Sequence, residues 1–465
     1  MLFNQFAFWL IFIPVIFIYY YLPSNAQRYW LMLVGFSYAF FTNITSGVVL
    51  IGICILSFWG ARLIEACRRK VMSKVVLAGT VGTIILILVA FKYRFIDIQS
   101  ENIVIPLGIS FYSLRAIGYL INTSKGQKTI KEWSVYATVL SFFPLLPSGP
   151  IERESTLCSE IVKVKKYEWD NICKGIRIFG IGLFLKVVLA DRLAIIVDNV
   201  YSDYNNVPGA ICLVAVFAYS FQIYCDFCGY SYMAVGISKM MDIDIMDNFC
   251  RPYLATDIRE FWKRWHISLS SWLRDYIYIP LGGNRKGKIR QNINIIITFI
   301  VSGLWHGNTL NFVVWGGLHG LYQVVENVKN TYFSKSTKRI CKYVGIVVTF
   351  LMVSFAWIFF RLSINDAFHI IIHIIREFNI SSLLDGTIYT LGWGRLQIVG
   401  LGTASCLLLI CEILYEKSIL SVHRFFEMRR WKRWIVYYAL MLWIVVVYVQ
   451  AYGIQQEANF IYVNF

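Results

Sequence analysis

Apolar runs long enough to cross a bilayer recur along the whole chain, and nothing constrains its fold more. A helix needs about 20 mostly apolar residues to span the hydrocarbon core. Candidate spans lie near residues 6–22, 29–42, 45–61, 75–91, 104–121, 133–147, 176–198, 209–228, 292–305, 310–326, 343–360, 396–415 and 434–452. Only helices and closed barrels satisfy their backbone polar groups in lipid. The runs are continuous rather than alternating, so helices are expected. Only 15% of the 465 residues are charged and the mean hydropathy is +0.59, against about 25% charged in soluble domains. The deficit extends over the whole length, which excludes a soluble body on a single anchor. The expected fold is an all-α polytopic membrane protein with about 11–13 membrane helices and re-entrant segments. It forms one domain over residues 1–465.

The cations orient this fold. Net charge is +17, but Lys and Arg cluster in short loops between apolar runs, as the positive-inside rule predicts. No basic face suits nucleic acid. The loops 62–74, 153–174, 251–290, 329–342 and 424–433 are basic and belong in the cytoplasm. Segments 42–45 and 200–209 carry no Lys or Arg, and 362–394 has only Arg376; these belong outside. Residues 1–27 also lack Lys and Arg, so no basic leader region precedes the first apolar run, which reads as a first span with its N-terminus outside. The short 133–147 run ends among Pro144, Pro147 and Pro150 and reads as re-entrant. The last span then carries Tyr452–Phe465 outward.

The histidines are the chemistry-bearing candidates. His306, in Ser302-Gly303-Leu304-Trp305-His306-Gly307, falls at the apex of a hairpin over 292–326 that starts and ends in the cytoplasm. About 15 helical residues at 1.5 Å each carry it roughly 20 Å into the membrane. An ionisable side chain at that depth is costly and marks a functional site. Desolvation keeps such an imidazole neutral, as a general base requires. From the residue alone, a histidine bonded to a neighbouring helix is the equal alternative. Gly303 and Gly307 permit close approach of a backbone or a slender ligand. His319, in a Gly-rich setting, is assigned a packing role. His369 and His373 are placed on the outer surface, and His423 in a basic loop.

His266 lies in the stretch Glu260-Phe261-Trp262-Lys263-Arg264-Trp265-His266-Ile267-Ser268-Leu269-Ser270-Ser271-Trp272-Leu273-Arg274-Asp275-Tyr276. An interfacial amphipathic helix accounts for its tryptophans and cations; a basic mouth for a phosphate-bearing ligand is compatible with the same residues. The 11 cysteines are scattered. Cys225 and Cys228 form a C-x-x-C that, without a second pair or nearby histidines, reads as two small apolar helix residues rather than a metal site. Signatures of soluble hydrolases, P-loop ATPases and dehydrogenases are missing.

The block Trp265-His266-Ile267-Ser268-Leu269-Ser270, followed by Trp272, Arg274-Asp275-Tyr276 and then Ser302–Gly307, resembles the membrane-bound O-acyltransferases. Pro106–Phe111, Phe142-Phe143-Pro144, Asp226-Phe227 with Gly229-Tyr230-Ser231, and Trp357–Arg361 agree with that family, so the resemblance covers about residues 100–361 and the C-terminus. Tyr278-Ile279-Pro280-Leu281-Gly282-Gly283-Asn284-Arg285 is similar to the bacterial branch that O-acetylates exported polysaccharides such as alginate or peptidoglycan. So is the ending Phe460-Ile461-Tyr462-Val463-Asn464-Phe465. Leu145 and Tyr232 stand where that branch often has Gln and Asp. Ser148-Gly149-Pro150-Ile151-Glu152-Arg153 is closer to the D-alanyl transfer branch.

The resemblance implies an enzyme of the bacterial plasma membrane. Acetyl-CoA is its donor substrate, entering from the cytoplasm, and no cofactor is held permanently. The acceptor is a polysaccharide outside, reached through a separate serine-type O-acetyltransferase. His306, Tyr462 and His266 are the implied catalytic residues. The implied substrate contacts are Trp305, Lys263, Arg264, Arg274, Asp275, Asp226 and Ser302. Residues 453–465 would carry the acyl-accepting tyrosine. A transporter or flippase would need the same deep polar residues, and a non-catalytic scaffold would tolerate loss of His306.

Overall fold

The computed structural model describes residues 3–67, 69–93, 105–332, 339–390, 394–419 and 429–452. Tyr462 and the whole 453–465 motif lie outside them. Among the described residues the chain is helical with no strand, as expected. Four helices begin it: α1 (Phe6–Tyr21), α2 (Ser24–Thr42), α3 (Ile44–Ala66) and α4 (Lys70–Lys92). Next come α5 (Ile109–Ser124), α6 (Trp133–Ser141), α7 (Glu154–Val162), α8 (Trp169–Phe184), α9 (Asp191–Ser202) and α10 (Gly209–Met240). Two short helices follow, α11 (Ile258–Arg264) and α12 (Ile267–Leu273). The remainder are α13 (Lys288–His306), α14 (Leu310–Tyr332), α15 (Arg339–Arg361), α16 (Ile364–Arg376), α17 (Arg395–Glu416) and α18 (Arg430–Tyr452). Five of the described helices combine the length and apolarity of a full span: α3, α4, α10, α15 and α17.

Helix α10 is the central post. Most of its apolar length is buried inside the protein, whereas α4 buries almost none of its own. A polypeptide in lipid gains nothing from hiding apolar side chains from apolar tails, so helix contact depends on close packing of small residues. Helix α8 meets α10 in this way. A Cβ on Gly182 would lie 2.5 Å from the Gly229 carbonyl oxygen, a distance no side chain tolerates.

The 133–147 run is too short and broken to form a long span. Helix α6 ends at Ser141, one short 3₁₀ turn covers Phe143–Leu145, and the chain stays buried through Ile151. The buried Arg115 side chain donates to the Val139 and Leu140 carbonyls, each at 3.0 Å, so the carbonyls freed at the end of α6 are satisfied inside the protein rather than in lipid.

The amphipathic reading of 260–276 is corrected. The stretch is two short helices followed by a π-helical turn, Arg274–Tyr278. The break falls at His266, whose φ of +42° and ψ of +54° place it in the left-handed region. Trp262, Trp265 and Trp272 are buried in the core and do not line a headgroup belt. Tertiary packing explains the difference: Trp265 packs on Phe261, Phe249 and Trp357 with ring centroids 5.0–5.6 Å apart. Aromatic pairs in such geometry favour the folded-in arrangement.

Candidate active site

Helices α13 and α14 form the expected hairpin, with His306 the last residue of α13. The two backbones approach closely. A Cβ on Gly303 would stand 2.2 Å from the Phe312 carbonyl oxygen, so this glycine makes room for a neighbouring helix rather than for a ligand. His306 is buried and stands edge-to-face against Trp315 (5.1 Å) and Phe360 (5.2 Å), next to Trp305 (4.8 Å). These rings come from α13, α14 and α15.

Trp305 joins His306 to the second histidine. Its ring lies 6.1 Å from that of His266 and 5.5 Å from Phe111 on α5, and its indole N–H donates to the Ser110 carbonyl at 3.3 Å. His266 is buried, with Phe227 of α10 edge-on at 4.6 Å. Its tautomer follows from its partners. Asn248 Oδ1 accepts from the Ser268 backbone N–H at 3.1 Å and from the Ser268 hydroxyl at 2.9 Å. A backbone N–H can only donate, so this atom is the amide oxygen. It lies 3.2 Å from His266 Nδ1, which must therefore carry the proton. The lone pair is left on Nε2, which has no hydrogen-bond partner among the described residues. The strained break in the 260–276 stretch thus aims a neutral, base-ready imidazole into the interior.

Lysine 92, which the sequence reading passed over, completes the site. It is the last residue of α4 and is buried. Its ammonium donates to the Trp305 carbonyl, lies 3.4 Å from Ser110 Oγ and sits 5.2 Å from the Trp305 ring. Next to it, the Tyr93 hydroxyl donates to the Leu304 carbonyl at 2.7 Å. The open carbonyls at the C-terminus of α13 are therefore capped by a cation and a phenol, the partners that end of a helix dipole favours. The only sequence signal was a lone cation closing an apolar run.

Ser302 lies one turn before His306, fully buried, and its hydroxyl has no partner among the described residues. The other named residues lie elsewhere. Arg264 bonds to Glu260 (2.6 Å) and Glu416 (2.9 Å), and Arg251 shares Glu416 at 2.8 Å. Lys263 is exposed. Arg274 is exposed and bonds to Asp275 at 2.8 Å, whose other oxygen binds Arg153 at 2.7 Å. Asp226 forms a buried ion triad, with Lys186 2.6 Å from Asp226 and 2.7 Å from Asp191. The structure thus unites His266, Trp305, Ser302 and His306, and engages Arg264, Arg274, Asp275 and Asp226 in ion pairs of the scaffold. His319 is fully buried, as a packing residue should be, and His373 bonds to the Val207 carbonyl at 2.8 Å. Cys225 and Cys228 are buried on α10, and among the described residues no three His, Cys, Asp or Glu side chains gather as metal ligands. A cavity of about 330 Å³ between α7 and the 127–132 loop is lined by residues that include Lys128, Lys131 and Glu154, and by neither histidine.

Comparison with known proteins bears on what this interior does. The model of the MBOAT, membrane-bound O-acyltransferase, family matches residues 135–368. The chain is 33% identical over 381 residues to the probable alginate O-acetylase of Pseudomonas aeruginosa, covering 78% of this chain and 72% of that protein. It is 32% identical over 406 residues to the peptidoglycan O-acetyltransferase of Helicobacter pylori, covering 78% and 77%. The teichoic acid D-alanyltransferase of Bacillus subtilis is 29% identical over 337 residues, covering 67% and 84%.

Proposed function

Because this chain belongs to the membrane-bound O-acyltransferase family, and is therefore an acyltransferase, we propose that it moves an acetyl group from cytoplasmic acetyl-CoA through a bacterial plasma membrane toward O-acetylation of an exported or cell-wall polysaccharide. One observation carries this reading: two buried imidazoles, His266 and His306, flank Trp305 at the far end of a hairpin rooted in basic loops. Relatives named for alginate and peptidoglycan acetylation support the acceptor class.

In the proposed reaction Tyr462 is the nucleophile. A phenol with a pKa near 10 attacks poorly at neutral pH unless a base takes its proton. His306 removes that proton. The phenolate oxygen bonds to the thioester carbonyl carbon, and the carbon–sulfur bond breaks. The CoA sulfur takes the proton back from the imidazolium and leaves as the thiol. The Ser302 hydroxyl donates to the thioester carbonyl and polarises it, while His266, whose Nε2 lone pair can only accept, helps to hold the incoming CoA. Lys92 and Trp305 hold the end of α13 in place. The acetyl-tyrosine ester keeps its acyl group activated for a serine of an outside partner protein. The chain between Tyr452 and Tyr462 can extend about 33 Å, enough to return the tyrosine to the depth of His306.

Labelled acetyl-CoA with purified protein tests the scheme. Label on the peptide holding Tyr462, lost in His306→Ala and Tyr462→Phe, is expected. CoA release that depends on His306 without label on Tyr462 would remove the tyrosine step. Turnover of a D-alanyl thioester in place of acetyl-CoA would move the protein to the activity named for the Bacillus relative. Absence of turnover with either would leave transport as the better reading.

A further inference from the structure

The hairpin that presents His306 carries a polar track of which the transfer chemistry uses only the end formed by Ser302 and His306. On α13, Asn294, Thr298, Ser302 and His306 recur every four residues, so they share one face. All four are buried, Asn294 and Ser302 completely. The track covers 12 residues, about 18 Å of helix axis, leading from the basic cytoplasmic loop to the histidine.

Beyond the reactive end, Asn294 Oδ1 on α13 and His319 Nε2 on α14 are buried without partners among the described residues, and their chemistry is fixed by their neighbours. Asn294 donates its amide to the Gly283 carbonyl at 3.0 Å, which leaves Oδ1 as an acceptor with no partner among the described residues. Across the hairpin, Trp262 lies 3.2 Å from His319 Nδ1. An indole nitrogen only donates, so His319 Nδ1 accepts and the proton resides on Nε2. That N–H is fully buried and has no acceptor among the described residues. Leaving a buried donor unmade is costly and uncommon. The rest of the His319 surround is aromatic: Phe261, Phe299, Trp315, Tyr322 and Trp357. His306 and His319 each lie 5.1 Å from Trp315, so the two imidazoles stand within about 10 Å of one another. His319 lies nine residues into α14, about 14 Å along its axis, toward the end that the charge pattern assigns to the cytoplasm.

We infer that His319 Nε2–H and Asn294 Oδ1 bind the amide groups of the donor's pantetheine arm, the first donating to an amide carbonyl and the second accepting from an amide N–H. The inference rests on the acetyl-CoA reading above. An arm with two amides and one hydroxyl on an otherwise apolar chain matches aromatic walls that offer one donor for an amide carbonyl, His319 Nε2–H, and one acceptor for an amide N–H, Asn294 Oδ1. His319 is then a substrate-positioning residue, and the packing role read from sequence describes only its Nδ1 side.

Donor truncation tests this. Thiol release is followed with acetyl-CoA, with S-acetyl-N-acetylcysteamine, which keeps one amide, and with S-ethyl thioacetate, which has none. His319→Phe is expected to lower kcat/KM roughly 10- to 100-fold for the two amide donors and less than twofold for S-ethyl thioacetate. His319→Gln can accept from Trp262 and still donate, so it should recover most of the loss. Trp262→Phe frees His319 to move its proton to Nδ1, so it should lower the two amide donors more than S-ethyl thioacetate, though by less than His319→Phe does. Equal losses for all donors in His319→Phe, or none, would overturn the inference while leaving the acyltransferase intact. Wild-type protein that releases no thiol from acetyl-CoA would instead remove the donor assignment, and this inference with it.

Discussion

Asn248→Leu is the sharpest probe of the His266 assignment. The substitution removes one acceptor that three donors share: the Ser268 N–H, the Ser268 hydroxyl and His266 Nδ1–H. The hydroxyl can rotate to another acceptor, but the backbone N–H and the imidazole N–H cannot. Each buried donor left unmade costs about 1–3 kcal/mol, so the loss of stability should be about 2–6 kcal/mol. The imidazole can relieve its share by moving the proton to Nε2, which removes the lone pair from the atom facing the interior. Activity should then fall further than folding does, by roughly 10- to 100-fold in protein that remains folded. Asn248→Asp keeps the acceptor and should recover most of the activity. Thermal unfolding in detergent and thiol release from acetyl-CoA, measured on the same preparations, separate the two effects. Wild-type activity in folded Asn248→Leu would refute the claim that the Nε2 lone pair matters.

Three further outcomes are expected. Lys186→Met strands the Asp191 and Asp226 carboxylates and should destabilise the fold by about 3–5 kcal/mol, read as a lower unfolding temperature, whereas Lys186→Met with both aspartates changed to Asn should regain much of it. Lys92→Met keeps the bulk but uncaps the Trp305 carbonyl; thiol release should fall about tenfold while unfolding shifts little. Glu416→Gln weakens the half-buried ties to Arg251 and Arg264 and should cost about 1–2 kcal/mol, detected as easier proteolysis of α17.

What could be read from sequence followed from where each signal resides. Hydropathy is local, so the all-helical membrane character, the short and broken 133–147 run and the α13–α14 hairpin were visible. His306 stood out because the apolar runs on both sides of it carry an ionisable group deep into the membrane. The break at His266 was hidden, since tryptophans alternating with cations look alike at a headgroup surface and in a folded-in aromatic core. Only contacts with Phe249 and Trp357, from elsewhere in the chain, distinguish the two. The partners of the basic stretch were equally hidden: Arg264 pairs with Glu416, which is distant in sequence, and Arg274 pairs with Asp275. Lys92 could not be assigned because its acceptor lies 213 positions away. His319 was half legible, because burial could be anticipated but its tautomer depends on Trp262.

Helix α4 buries only 6% of its apolar window, yet its last residues grip the carbonyls beside His306. A helix that packs on α3 and α5 along one side and hides so little of its apolar length adjusts its tilt when the hydrocarbon layer thickens or thins, at a cost of fractions of a kcal/mol per ångström. Most such helices absorb that adjustment harmlessly. Here the far end is tied to the last turn of α13, so hydrophobic mismatch would be delivered as a pull on Trp305 and the histidine after it. On the acyl-transfer scheme proposed above, the acyl-chain length of the surrounding lipid then becomes a variable of the reaction, felt at His306 without any lipid entering the site.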